Sequence, residues 1–413
     1  MKLAASVRFD AVALCLSAAL GTAAAVEGGE MGKPPVPTPW DMKALANPPK
    51  VHPAPSFKAD GVRALFYEGL PWKGKPTRVF AWHGVPAAPA KAPFPAMILV
   101  HGGGGTAFDD WVRLWTQRGY AAISMDTCGC TAGGEHMKRP RHEFGGPPGW
   151  GGYDQIDQPI EDQWMFHAVA DCILATSLVR SFPEVDPERI GMTGISWGGI
   201  LACIAAGVDP RLRFVAPVYG CGHLGDDPNR LVQQMPDPAG RERWFALWDP
   251  SHYLDRAKMP MLWVTGTNDF AFPLPMFQRS YRQPRGPRTL SVRVAMVHGQ
   301  PQGTAPEEIA AMADSLFRGG PPLAQITSQG VTGRSAWAAF ASARPITRAD
   351  FNFTCDKGLW QERKWRSVAA ELSAATGKAQ ADLPDGATAY YFNLVDDRGL
   401  TVSTEHETAE NGQ

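Results

Sequence analysis

The stretch Arg189-Ile-Gly-Met-Thr-Gly-Ile-Ser-Trp-Gly-Gly-Ile-Leu-Ala-Cys203 constrains this chain more than any other. A short β-forming run meets Gly194-Ile195-Ser196-Trp197-Gly198 and gives way at once to an alanine-rich helical run. A strand that turns so sharply into a helix forces its central residue into a strained backbone conformation, and glycines two before and two after keep neighbouring side chains clear. In this strand-then-helix context the G-x-S-x-G pattern predicts a nucleophile elbow. Ser196 is expected to stand above a sheet, with the first N–H groups and the positive dipole end of the helix aimed at any anion forming beside it. A glycine-rich turn with a bystander serine is the plain alternative, and the flanking strand and helix weigh against it.

The surrounding chain has the rhythm such an elbow needs. Ala96–Val100, Ala121–Met125, Phe214–Val218 and Met261–Val264 are largely apolar runs of the kind that form buried parallel strands, and Val292–Met296, interrupted by Arg293, reads as a further strand. Helical stretches alternate with them near Asp109–Gln117, Gln163–Arg180 and Pro306–Phe317, the last with Thr304 as N-cap and Gly319-Gly320 as terminator. Val62–Tyr67 and Thr77–Trp82 read as an antiparallel hairpin opening the sheet. The expected fold class is α/β, a mainly parallel doubly wound sheet with helices on both faces. A glycine-rich insert over 133–152, with Gly145-Gly-Pro-Pro-Gly-Trp150-Gly-Gly152, reads as a long functional loop. After Gly320 the pattern becomes short alternating strands with turn signals, Ile346–Thr354, Ala387–Val395 and Gly399–Ser403 among them, which predicts a small β-sandwich module.

Domain boundaries follow: 1–25 a signal peptide, 26–60 an extended proline-rich segment anchored by Trp40, 61–320 the catalytic domain and 325–413 the β module. Met1-Lys2 and Arg8, the apolar run Ala11–Leu20 and Ala23-Ala24-Ala25 before Val26 form the three-part pattern of a secretory signal. No stretch approaches the roughly 20 uninterrupted apolar residues of a membrane span. The expectation is an exported protein, secreted or periplasmic. Among 413 residues, 40 Lys+Arg against 41 Asp+Glu leave no basic excess, which argues against nucleic acid as a partner. Beyond the signal, Cys128, Cys130, Cys172, Cys203, Cys221 and Cys355 read as structural or unassigned, and Cys128-Gly-Cys130 is too tight for a zinc site. The reading calls for no cofactor and no metal, and leaves the oligomeric state open.

A serine hydroxyl is a poor nucleophile at neutral pH; it needs a base, and the base an orienting acid, here in the order Ser, acid, His. Asp269 in Thr265-Gly-Thr-Asn-Asp269-Phe-Ala-Phe-Pro273 and His298 in Val297-His-Gly-Gln300 both lie just past strand ends, on the sheet edge where ligands bind. Asp226 and Asp227 are the competing acids, and His406, in a polar tail, is the one other histidine after Asp269. For the oxyanion, one donor is the backbone N–H of Trp197. The other comes from His101-Gly-Gly-Gly-Gly105, at Gly103 or Gly104. A phosphate-loop reading of that run fails for want of a following Gly-Lys-Ser/Thr. Trp150, Tyr219 and Phe270 are candidate pocket residues.

Together these residues resemble the α/β-hydrolase family over roughly 61–320. Gly194–Gly199, Pro217-Val-Tyr-Gly-Cys-Gly222 and Val264–Asp269 are most similar to its dienelactone hydrolase and acetylxylan-esterase-like branch, which borders the prolyl-oligopeptidase-like peptidases. Dienelactone hydrolases proper carry Cys as nucleophile; Ser at 196 departs from them and implies plain ester hydrolysis. The resemblance implies an exported serine carboxylic ester hydrolase acting through an acyl-enzyme on a small-molecule or polysaccharide ester, with acetylated carbohydrate as the expected substrate. Its rivals are a dipeptidyl-peptidase-type serine peptidase, for which residues 26–60 are too few to build a β-propeller, and a non-catalytic glycan-binding protein, which has no need of all three catalytic side chains.

Overall fold

The computed structural model describes residues 38–225, 235 and 237–408. The signal-peptide residues and both competing acids, Asp226 and Asp227, lie outside these. At its centre is a nine-stranded sheet in the order β1-β2-β3-β5-β4-β6-β7-β8-β9. The strands are β1 (Val51–Ala59), β2 (Val62–Glu68), β3 (Arg78–Gly84), β4 (Phe94–Val100), β5 (Ala121–Met125), β6 (Val185–Ile195), β7 (Phe214–Val218), β8 (Met261–Gly266) and β9 (Arg288–Arg293). β1, β2 and β3 run antiparallel and join β5 antiparallel; the remaining neighbours from β5 to β9 are all parallel. The apolar runs become these parallel strands because both faces are covered: every residue of β4, β5, β7 and β8 is buried. The helices begin with α1 (Met42–Leu45) and α2 (Asp109–Gln117); α3 (Trp164–Arg180) buries 16 of its 17 residues, and α4 (Trp197–Val208) packs against β6 and β7.

Three local expectations give way. The sheet starts earlier than expected, since Val51–Ala59 pairs with β2 as an edge strand despite Pro53 and Pro55, with a register break between Pro53 and Lys58. Prolines are tolerated there because only one side of an edge strand bonds to the ladder. A short helix, Met42–Leu45, precedes it, and Trp40 anchors the segment by donating from Nε1 to the Phe166 carbonyl at 2.8 Å. β9 ends at Arg293, before the expected Val292–Met296 run is complete: Ala295 takes φ 53° and turns the chain toward His298. Thr304 does not cap the last helix; it closes a short one, Gln300–Thr304, and the next, Glu307–Arg318, starts behind Pro306 and ends on left-handed Gly319.

The C-terminal module is a β-sandwich. One sheet orders β10 (Gln325–Thr332), β11 (Ser335–Ala341), β15 (Lys378–Asp382) and β14 (Glu371–Ser373); the other orders β13 (Arg366–Ala369), β12 (Ile346–Thr354), β16 (Ala389–Asp396) and β17 (Thr401–Ser403), with β18 (Glu407–Thr408) on β16. Phe351, Phe392 and Leu394 on one side and Ala336, Ala338 and Ala379 on the other fill its core, large residues facing small. It closes over the edge of β9. Val292 N donates to Ser403 Oγ at 2.7 Å, and Asn393 Nδ2 and Tyr391 Oη donate to Val292 O at 3.1 and 3.4 Å. Asn393 and Ser403 are buried, so this seam leaves the Val292 amide and carbonyl satisfied without water.

Two buried imidazoles tie stability to pH. His83 in β3 and His406, which is packed against Trp360 rather than free in a polar tail, are both held down to about 3, mainly by burial and then by nearby guanidinium groups. The unfolded chain protonates both near pH 6.5, so between these limits it binds more protons and stability falls as pH drops. At pH 5 each site is expected to cost on the order of 2 kcal/mol. Thermal melts at pH 7.5 and pH 5 check this: His406→Gln should lose less Tm on acidification than wild type, and an equal loss would refute the assignment.

Candidate active site

The elbow forms as its sequence dictates. Ser196 sits between the end of β6 and the start of α4 with φ 57° and ψ −115°, left-handed backbone that a non-glycine residue adopts only under constraint. The constraint is hydrogen-bonded on both sides: Ser196 N donates to Val218 O at 2.9 Å, and Ser196 O accepts from Gly199 N and Ile200 N. The glycines are sterically obligatory. A Cβ on Gly194 would strike the Gly198 carbonyl, and one on Gly198 would strike the Val100 carbonyl. Trp197 opens α4, and its N–H therefore has no acceptor within the helix.

Asp269 and His298 meet on the same edge of the sheet. His298 Nδ1 lies 2.7 Å from Asp269 Oδ2, while Asp269 Oδ1 accepts from Ala271 N and Phe272 N at 2.9 and 2.8 Å. Three partners fix that carboxylate in a position only 1% exposed. His298 and Ser196 both line one cavity of about 500 Å³. No hydrogen bond joins Ser196 Oγ to His298 among the described residues, and both face the same cavity.

The glycine run after β4 supplies the opposite wall, and a buried histidine shapes it. Thr127 N donates to His101 Nε2 at 3.1 Å, so the imidazole proton sits on Nδ1 and is donated to Gly102 O at 2.7 Å. The same carbonyl accepts from Gly105 N. Turning the Gly102 carbonyl inward leaves the Gly103 N–H on the opposite side of that planar peptide. Gly103 lines the cavity. Gly104 does not: it has φ 70°, and its carbonyl accepts from Met137 N at 3.0 Å.

Trp150 and Phe270 line the cavity, joined by Phe272, Phe108 and Met137. Trp150 is held there by the ring of Trp197, 5.9 Å away, and the next residue, Gly151, accepts from Trp244 Nε1 at 2.9 Å. Tyr219 is a correction. It is fully buried behind His298 instead of facing the cavity, with its ring stacked on that imidazole at 4.3 Å and its hydroxyl donating to Val297 O at 2.9 Å. Its φ of 64° puts it, with Ser196 and Ala295, in a cluster of strained positions at this edge.

Sequence reasoning passed over Asp126, His136 and Gln300. Asp126 follows β5, and its Oδ1 accepts from Cys128 N and Cys130 N at 2.8 and 2.7 Å, shaping that tight loop. Its Oδ2 lies 3.8 Å from His101 Nε2, and burial pushes its carboxyl above the usual range and the His101 imidazole below its own. An aspartate directly after a continuous apolar strand was the available signal. His136 and Gln300 line the cavity, and their positions in a long loop and in a one-turn helix carry no periodicity that would mark them. The six described cysteines are all free, five of them buried. Among the described residues no group of acidic, histidine and cysteine side chains could hold a metal ion, and no helix is long and apolar enough to cross a membrane.

Residues 43–237 match the acetyl xylan esterase (AXE1) family model. The fold is similar to an acetyl xylan esterase from Paenibacillus sp. R4, with a TM-score of 0.53 and 23% identity, covering 67% of this chain and 92% of that one. It is similar also to acetyl xylan esterase 1 from Thermoanaerobacterium sp. JW/SL YS485, with a TM-score of 0.53 and 19% identity over 68% and 95%. Dipeptidyl-peptidase 5 of Porphyromonas gingivalis is 25% identical over 203 residues, 43% of this chain and 26% of the relative. The chain spans about a quarter of the length of the curated relatives it matches. The sheet order and the elbow give the chain an α/β-hydrolase fold, and over residues 43–237 it is similar to the acetyl xylan esterases.

Proposed function

We propose that this protein is a serine carboxylic ester hydrolase with Ser196 as nucleophile, His298 as general base and Asp269 as the acid that orients it. The observation that carries the reading is a serine on a strained elbow sharing one cavity with a histidine whose far nitrogen is bonded to a buried, triply held carboxylate. In the reaction, Ser196 Oγ attacks the ester carbonyl while His298 Nε2 takes its proton. Asp269 stabilises the imidazolium, and the Trp197 and Gly103 N–H groups receive the oxyanion. The imidazolium then protonates the departing alkoxide, and water repeats the sequence to release the acid from the acyl-enzyme.

The substrate we propose is a carbohydrate ester, in keeping with the branch the chain resembles. Trp150, Phe270 and Phe272 offer flat apolar faces suited to a sugar ring or an aromatic acyl group. A peptidase is the second reading, favoured by the match to Dipeptidyl-peptidase 5 over 43% of the chain. Turnover of p-nitrophenyl acetate, acetylated xylan, feruloyl esters and aminoacyl-nitroanilides separates them. Ester turnover with inert anilides supports the first reading, and the reverse sinks it.

We also propose that the protein is exported, on the strength of the charged, apolar and small-residue succession in residues 1–25. Mass spectrometry of protein recovered from the periplasm or medium of a secreting host should find a mature chain starting at Val26. An intact Met1 there would contradict it.

A further inference from the structure

The C-terminal β-sandwich reaches the loop that carries Asp269 at Asn268, the residue directly before it. Its carboxamide makes three hydrogen bonds. Nδ2 donates to Gln361 O at 3.1 Å and to Arg363 O at 2.7 Å, both in the sandwich loop between β12 and β13. Oδ1 accepts from Thr267 Oγ1 at 2.7 Å, and that hydroxyl accepts in turn from Ala295 N at 3.0 Å, three residues before His298. The loop that receives Asn268 is itself stiffened. The Arg363 guanidinium donates to Gly358 O at 3.1 and 3.3 Å and lies 3.8 Å from the centroid of the Trp360 ring, which packs on buried His406.

We propose that Asn268 is a positioning residue through which the β module fixes the loop carrying Asp269, and so sets the base for catalysis; this rests on the triad reading given above. Asn268 is not part of the cavity wall, so its role runs through its neighbours. A carboxamide is needed because the two partners on the module are carbonyls and the one on its own loop is a hydroxyl: only a side chain with two donors and an acceptor meets all three. The geometry is sensitive because Asp269 follows by a single residue, and a displacement of the order of 1 Å in a catalytic group costs roughly 10²-fold in rate.

The test compares purified full-length wild type with Asn268→Ala, Asn268→Asp and Trp360→Ala on a p-nitrophenyl ester across pH. Asn268→Ala is expected to lower kcat about 10- to 100-fold with KM within about twofold. A displaced Asp269 stabilises the imidazolium less, so the acid limb of the kcat/KM profile should also move to lower pH. Asn268→Asp, which sets a carboxylate against two carbonyls, should be at least as impaired. Trp360→Ala perturbs the receiving loop from the module side and should give the same signature in milder form, which keeps the test open where an Asn268 variant fails to fold. The proposal is overturned where Asn268→Ala and Trp360→Ala keep kcat and the acid limb, or lose rate only in proportion to the unfolded fraction. A wild type that turns over no ester and whose Ser196 takes no phosphonate label overturns the triad reading itself, a result distinct from an active, labelled enzyme indifferent to Asn268.

Discussion

Ser196→Ala is expected to lower ester turnover by a factor on the order of 10⁴ or more while leaving the melting temperature nearly unchanged. The fold has little reason to change. The bonds that hold residue 196 in its left-handed conformation run through its backbone, from N to Val218 O and from the Gly199 and Ile200 amides to O, and alanine keeps them all. What is lost is the one atom that becomes covalently bonded to the acyl group, and nothing else on the cavity wall replaces it: the remaining walls are glycine backbone and aromatic or aliphatic side chains, with His136, His298 and Gln300 as the polar exceptions. Single-turnover kinetics and a fluorophosphonate probe check it. Probe labelling of the variant at the wild-type level would remove Ser196 from the nucleophile's role.

Asp269→Asn should cost on the order of 10⁴ in kcat, with KM and melting temperature close to wild type. The carboxylate's two oxygens have separate duties, and asparagine can perform one of them. Its carbonyl oxygen keeps accepting from Ala271 N and Phe272 N, which holds the loop. Its amide then faces His298 Nδ1 as a donor, forcing the imidazole proton onto Nε2, the nitrogen that must accept from Ser196. The enzyme folds, binds and stalls. Asp226→Asn and Asp227→Asn are expected to stay within about tenfold of wild type. A sensitive Asp226 or Asp227 would move the acid to the loop after β7.

The difference between what could and could not be read from residues alone has a physical basis. Elbow glycines and the apolar strand runs are local and stereochemically strict, so the chain displays them openly, and Asp269 and His298, which the structure brings together, each follow a strand end. A Cβ at Gly194 or Gly198 has nowhere to go, and a parallel strand buried on both faces, such as β4 or β7, is apolar along its length. Tyr219 misled because an aromatic next to the active strand end reads alike whether it faces substrate or the back of the base; the φ of 64° that decides its direction is a tertiary outcome. The β1 prolines misled in the opposite sense, since propensity penalises proline in a strand without knowing that the strand is at an edge. Asn268 was invisible for a third reason: its partners lie more than 90 residues away, and they are backbone carbonyls, which leave no mark on residue identity.

Those prolines have one more consequence, for how copies of this protein meet. A mainly parallel sheet exposes two ladder edges, each a ready template for a strand from another molecule. At the first edge, Pro53 and Pro55 lack the N–H groups that such a strand would bond, and the register break after Pro53 distorts what remains. At the last edge, Ser403, Asn393 and Tyr391 already occupy the amide and carbonyl of Val292. Both margins are thereby closed to recruitment, one by missing donors and the other by occupied ones, and a sheet of nine strands can be kept at high local concentration without growing a tenth from its neighbour.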